Sequence, residues 1–154
     1  MIVLDLPDEA ATAALAARIS ALAAPADVIA LQGDLGAGKT AFARAFIRAR
    51  GDPDEEVPSP TFTLVQLYAG GAAAIWHFDL YRLHSPEDAW ELGIEEAFAT
   101  GISLIEWPER LGALLPERRL GISLRFGHHA GARQALLDPG PAWRARLATI
   151  AADA

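Results

Sequence analysis

A chain of 154 residues, 52% of them hydrophobic, is long enough to close one substantial core but too short for two ordinary domains, and its lack of cysteine excludes disulfides and thiolate metal sites. A net charge of −7 argues against autonomous nucleic-acid binding, which draws on surplus Lys and Arg to neutralise phosphates. No apolar run reaches the roughly 20 residues of a membrane span, and the first ten residues carry Asp5, Asp8 and Glu9 where an export signal would be basic, so a cytoplasmic location without membrane contact is expected.

In chain order, residues 8–22 place Leu15, Ile19 and Leu22 on one helical face, and Pro25 closes that helix. Val28-Ile29-Ala30-Leu31 reads as a buried parallel strand. It runs into Gly33-Asp34-Leu35-Gly36-Ala37-Gly38-Lys39-Thr40, after which residues 39–50 form a helix with Phe42, Phe46 and Ile47 on one side and Gly51 as its stop. Residues 51–60 hold four acids and three prolines and read as a loop. Strands are predicted over 61–68 and 73–80, joined at Gly70-Gly71. Ser85-Pro86-Glu87-Asp88 starts a helix with a capping-box pattern. Residues 102–106 form a further apolar strand, cut off by Pro108; residues 120–126 and 134–137 read as edge strands, and 141–150 as a closing helix. This order of elements predicts an α/β fold of three layers, with a mostly parallel central sheet plus antiparallel edge strands, as one domain over residues 1–154.

The glycine run after the strand matches G-x-x-x-x-G-K-[ST]. Glycines let backbone N–H groups converge on phosphate oxygens, and the helix that follows adds its partial positive charge. Lys39 is the only Lys among thirteen basic residues, so the one compact ammonium of the chain stands where an Arg would not substitute. The expected ligand is ATP with Mg²⁺, held by Gly33, Asp34, Leu35, Gly36, Ala37, Gly38, Lys39, Thr40 and Ala41, with the Thr40 hydroxyl on the metal. Such a site needs a carboxylate at the end of a neighbouring strand. Asp79 and Glu106 both meet that placement, and spacing does not decide which touches the metal directly. Thr61 is a candidate nucleotide-sensing residue or, more simply, a β-branched strand opener. His77, His84, His128 and His129 lack metal-ligand spacing and read as structural or surface residues, and Trp107 as a core aromatic.

Taken together, Leu6-Pro7-Asp8-Glu9 with Thr12, the loop from Gly33 to Thr40, SPTFTL from Ser59, HFDLYRL from His77 and EWP from Glu106 resemble the TsaE (YjeE) family. The resemblance implies an ATPase required, with TsaB and TsaD, to form threonylcarbamoyladenosine in tRNAs reading codons that begin with A, the tRNA being reached only through those partners. It further implies that Thr40 and Glu106 bind Mg²⁺, that Asp79 serves hydrolysis, that Ser59 to Thr61 form a switch, and that Trp107 and Arg133 lie beside the nucleotide. The family often carries a second Thr after its Gly-Lys-Thr; here Ala41 keeps only the backbone N–H toward the α-phosphate. Two other classes use the same loop: a small-molecule kinase, with residues 82–101 as its lid and Arg82 as that lid's only basic residue, or a nucleotide-sensing binding module without meaningful turnover.

Overall fold

The computed structural model describes residues 1–152; residues 153 and 154, counted in the expected domain, lie outside the described residues. The elements in order are β1 (Ile2–Leu6), α1 (Glu9–Leu22), β2 (Val28–Gln32), α2 (Lys39–Arg50), β3 (Val65–Ala69), β4 (Ala74–Asp79), a 3₁₀ segment (Pro86–Leu92), α3 (Ile94–Thr100), β5 (Ile102–Glu106), a second 3₁₀ segment (Pro108–Leu114), β6 (Leu120–Phe126), β7 (Arg133–Pro139), α4 (Pro141–Arg144) and α5 (Ala148–Ala152). The seven strands form one sheet in the order β1-β7-β6-β2-β5-β4-β3. Its four central strands, β6, β2, β5 and β4, run parallel, while β3, β7 and β1 join antiparallel. The expected α/β sheet with a parallel centre is therefore the one found.

Burial on both faces explains the apolar runs at β2 and β5, whose helix-facing and opposite-facing residues enter different cores. One core joins Ile29, Leu31, Leu104 and Ile122 to Leu15 and Ile19 of α1, Phe42 and Phe46 of α2, and Trp143 near the C-terminus. The other joins Val28, Phe78 and Ile105 to Ala89, Ile94, Ala97 and Leu111, from the two 3₁₀ segments and α3. The sheet is the middle of three layers.

Local chemistry sets the helix ends. The Asp8 side chain accepts from the Ala11 N–H at 2.8 Å and caps α1. Arg50, ending α2, donates through Nη1 to the carbonyls of Ser20 (2.5 Å) and Ala23 (3.0 Å), satisfying acceptors at the C-terminus of α1, and through Nε to Gly70 (3.0 Å). These bonds tie the two long helices and the β3–β4 turn together.

Four local expectations are corrected. Neither 120–126 nor 134–137 is an edge: β6 pairs with β2 in parallel and with β7, and β7 lies between β6 and β1. The edge on that side is β1, which has no strand assignment in the sequence reading because its partner lies some 130 residues away in the chain, beyond any local pattern. Strand β3 begins at Val65, not at residue 61; Leu64, at φ 67°, breaks the extended backbone, so Thr61 lies in a turn and is not a strand opener. The closing helix is two short ones, α4 and α5, and the segment that begins at Pro86 is 3₁₀ rather than α.

Candidate functional site

The loop of residues 33–40 leaves the C-terminal end of β2 and enters α2. Gly38 sits at φ 107°, which an L side chain rarely adopts, and a Cβ on Gly33 would stand 2.7 Å from the Leu124 carbonyl oxygen of β6. No side chain caps α2 at Gly38, so the N–H groups of its first turn remain available to an anion. Arg133, at the start of β7, braces the loop from the other side: Nε donates to the Ala37 carbonyl at 2.9 Å and Nη2 to the Gly36 carbonyl at 3.1 Å.

Lys39 is buried, and its Nζ donates to the carbonyls of Gly33 and Asp34, the latter at 2.9 Å. The same ammonium lies 4.3 Å from the centroid of the Trp107 ring. Burial pushes the Lys39 pKa below the usual lysine value, against the opposing pull of the Glu106 and Asp79 carboxylates.

Asp79 and Glu106 are register partners at the ends of the neighbouring parallel strands β4 and β5. The Thr40 hydroxyl lies 3.0 Å from both carboxylate oxygens of Glu106. Asp79 is engaged differently. Its Oδ2 accepts from Ser59 Oγ at 3.2 Å and from Thr61 Oγ1 at 3.4 Å, and its Oδ1 from the Tyr81 N–H at 3.1 Å. Position in the chain leaves open which acid would meet a metal; here Glu106 is the acid beside the loop threonine, and Asp79 the acid beside the 59–61 turn.

These groups border a cleft of about 250 Å³, with Leu35, Gly36, Ala41 and Trp107 completing its wall. Gly33, Asp34 and Ala37 form the back of the loop, away from the cleft. A larger cavity of about 580 Å³ adjoins it across Gly38 and Ala41, running between α1 and α2 past Thr12, Arg44 and Arg133. The buried Thr12 hydroxyl on its wall has no hydrogen-bond partner among the described residues. Arg133 therefore borders the second cavity rather than the first.

Sequence reasoning missed three features. It did not give the Thr12 hydroxyl a role, it did not see Arg133 as a brace of the loop, and it read His77 as structural. His77 is fully buried, with Nε2 2.7 Å from Glu106 Oε2. The signal for it was available: His77 precedes Asp79 by two residues in one strand, and period-two alternation puts both on the face that bears Glu106.

The cleft offers a set of oxygen donors: a hydroxyl and a carboxylate in contact with each other, and a second carboxylate one strand away, next to an ammonium and an uncapped helix start. Oxygen donors of this kind suit a hard divalent cation that keeps several waters and shares phosphate oxygens. Among the described residues no group of three or more His, Cys, Asp or Glu side chains could hold a metal alone, and a cation here would complete its shell with waters and phosphate oxygens. Among the described residues, too, no helix is long and apolar enough to cross a membrane.

A glycine loop between a buried parallel strand and a helix, with acids at the ends of the strands beside it, defines a P-loop protein of the α/β class. Residues 6–135 match the family model described as threonylcarbamoyl adenosine biosynthesis protein TsaE. The chain belongs to the TsaE family. It is 41% identical over 121 residues to a tRNA threonylcarbamoyladenosine biosynthesis protein TsaE of Rickettsia bellii, covering 79% of this chain and 84% of that one. It is 39% identical over 120 residues to the TsaE of Bacillus subtilis, covering 77% and 73%. Among solved structures it is similar to Bacillus subtilis YdiB, with a TM-score of 0.80 and 29% identity over 99% of this chain and 94% of that one.

Proposed function

We propose that this chain is a Mg·ATP-binding ATPase that works in the cytoplasm with TsaB and TsaD to form threonylcarbamoyladenosine in tRNAs reading codons that begin with A. The observation that carries the proposal is the convergence of Thr40 and Glu106, 3.0 Å apart, at the mouth of the loop that holds Lys39. A catalytic metal would be held by the Thr40 hydroxyl and the Glu106 carboxylate, where its charge would offset that of the phosphates. Lys39 would exchange its carbonyl partners for β and γ phosphate oxygens. Asp79, one strand over, orients the attacking water, and its bonds to Ser59 and Thr61 link that water to the 59–61 turn, so the state of the γ-phosphate is felt by a surface segment. The larger cavity beside Ala41 and Thr12 would take the nucleoside, a reading supported by its position next to the start of α2.

A net charge of −7 fits a subunit that reaches tRNA through its partners. The kinase alternative is weakened by the 82–101 segment, whose Leu83, Ala89, Ile94 and Ala97 are packed in the core on the far face of the sheet rather than over the cleft. The test is ATP hydrolysis by the purified protein, alone and with TsaB plus TsaD, with Lys39→Ala as control. Turnover that rises with the partners and vanishes in Lys39→Ala is the expected result; partners that neither bind nor change turnover overturn the proposal. Asp79→Asn separates hydrolysis from sensing: a variant that binds ATP, fails to split it and still supports modification would mean that binding alone suffices.

A further inference from the structure

We propose that His77 is a positioning residue for the metal site, fixing the Glu106 carboxylate through an Nε2–H···Oε2 hydrogen bond so that the other carboxylate oxygen faces the cleft. This rests on the magnesium reading given above and extends it one layer inward.

Four observations converge. His77 lies on β4 with its side chain on the same sheet face as Asp79, and it is fully buried. On that face it is flanked by Ile75 and Asp79 on its own strand, by Leu104 opposite it on β5 and by Gln66 opposite it on β3. Its Nε2 is 2.7 Å from Glu106 Oε2. Its Nδ1 has no partner among the described residues.

A residue needed only to fill this space would be aliphatic, like Ile75 and Leu104 beside it, because a buried ring nitrogen without a partner is a cost. The imidazole is kept despite that cost, and the only hydrogen bond it makes among the described residues goes to the carboxylate beside Thr40. Glu106, as a carboxylate, can only accept, so Nε2 carries the hydrogen and the tautomer is set. The last torsion of a Glu side chain is broad. A bond to one oxygen narrows it, and Thr40 at 3.0 Å from both oxygens restrains it from the other side. A ligand held by an outer hydrogen bond is the usual construction of a metal site, and here the imidazole acts on the carboxylate rather than on the cation. No change in the charge of His77 is required.

The test measures binding of a non-hydrolysable ATP analogue by calorimetry, once with saturating Mg²⁺ and once in a chelator, and takes the ratio of the two affinities. His77→Gln places an amide N–H near the position of Nε2. His77→Asn carries the same group but falls short of Glu106, so it controls for polarity and burial. Expected is a loss of about 10- to 100-fold in the Mg²⁺ enhancement for His77→Asn, an unchanged affinity in the chelator, and recovery of most of the enhancement in His77→Gln. The inference is overturned if His77→Asn keeps the full enhancement, if Gln and Asn lose it equally, or if affinity falls to the same extent with and without metal, which is what a structural role would produce. Glu106→Gln in the same series keeps the two claims apart. If that variant loses the enhancement and His77→Asn does not, only the inference falls; if wild type shows no enhancement, or Glu106→Gln retains it, the metal-site reading falls and takes the inference with it.

Discussion

Replacing Arg133 by Ala should loosen the phosphate loop before any nucleotide arrives. The side chain makes two bonds to that loop, Nε to the Ala37 carbonyl at 2.9 Å and Nη2 to the Gly36 carbonyl at 3.1 Å. Its third bond, Nη1 to the Ala132 carbonyl, stays within its own neighbourhood. The Nε bond is partly buried and charge-assisted, about 1.5 kcal/mol; the Nη2 bond is exposed and contributes about 0.5 kcal/mol, for a total near 2 kcal/mol. At about 1.4 kcal/mol per factor of ten, local opening of residues 33–40 should become about 30-fold more frequent. Hydrogen exchange of the loop amides in the nucleotide-free protein measures this directly, with the amides of β2 and β5 as internal reference. Arg133→Lys should resemble the Ala variant, because an ammonium has no rigid fork to reach both carbonyls. Unchanged protection of the loop in Arg133→Ala, accompanied by weaker nucleotide binding, would refute the bracing role and return Arg133 to a plain ligand contact.

Three further outcomes are expected. In Gly101→Ala the new Cβ would stand 2.5 Å from Trp76 Cδ1 although the backbone at φ −92° is ordinary, so the variant should lose about 1–3 kcal/mol by overpacking. Thermal unfolding checks it, and Trp76→Leu should recover part of the loss; an unshifted Tm for Gly101→Ala would mean that the ring moves freely. Thr12→Val removes a buried hydroxyl without a partner among the described residues, so the empty protein should keep its stability or gain up to about 1 kcal/mol, while ATP binding weakens and inorganic triphosphate binding does not. Equal effects on both ligands would rule out the larger cavity as the nucleoside site. Arg146 meets Asp27 through two bonds, 2.5 and 3.3 Å, and ties the C-terminal segment to the α1–β2 turn, where Asp27 also accepts from Ala24 N–H. A double-mutant cycle of Asp27→Asn and Arg146→Met, followed by urea unfolding, should give a coupling of about 1 kcal/mol; a value indistinguishable from zero would reduce the pair to a surface contact.

What could be read in the chain was what local chemistry controls. The loop from Gly33 to Thr40 carries its own conformational demands, and the strand before it and the helix after it are visible as an apolar run and an amphipathic repeat. Asp79 and Glu106 were found because an acid ends each of two apolar runs, and parallel strands bring such ends to one side of the sheet. His77 was passed over because the search for histidines asked for metal-ligand spacing, whereas its partner is a carboxylate 29 residues on. Thr61 reads in the sequence both as a β-branched strand opener and as a candidate switch residue; the left-handed backbone at Leu64 ends the first reading, and the hydroxyl lies 3.4 Å from Asp79.

By itself, then, the sequence determined the class of fold, the glycine loop between β2 and α2 and the two acids that face it, since each depends on residues adjacent in the chain or on a period of two or 3.6. Only the tertiary structure decided that β6 and β7 lie inside the sheet with β1 at its edge, that Glu106 rather than Asp79 stands beside Thr40, that Arg133 grips the loop, and that a cavity opens past Thr12. Each of those facts joins residues tens of positions apart. Their pairing is selected by the closing of two cores against a single sheet, a sum over many weak contacts that no local segment of the chain carries.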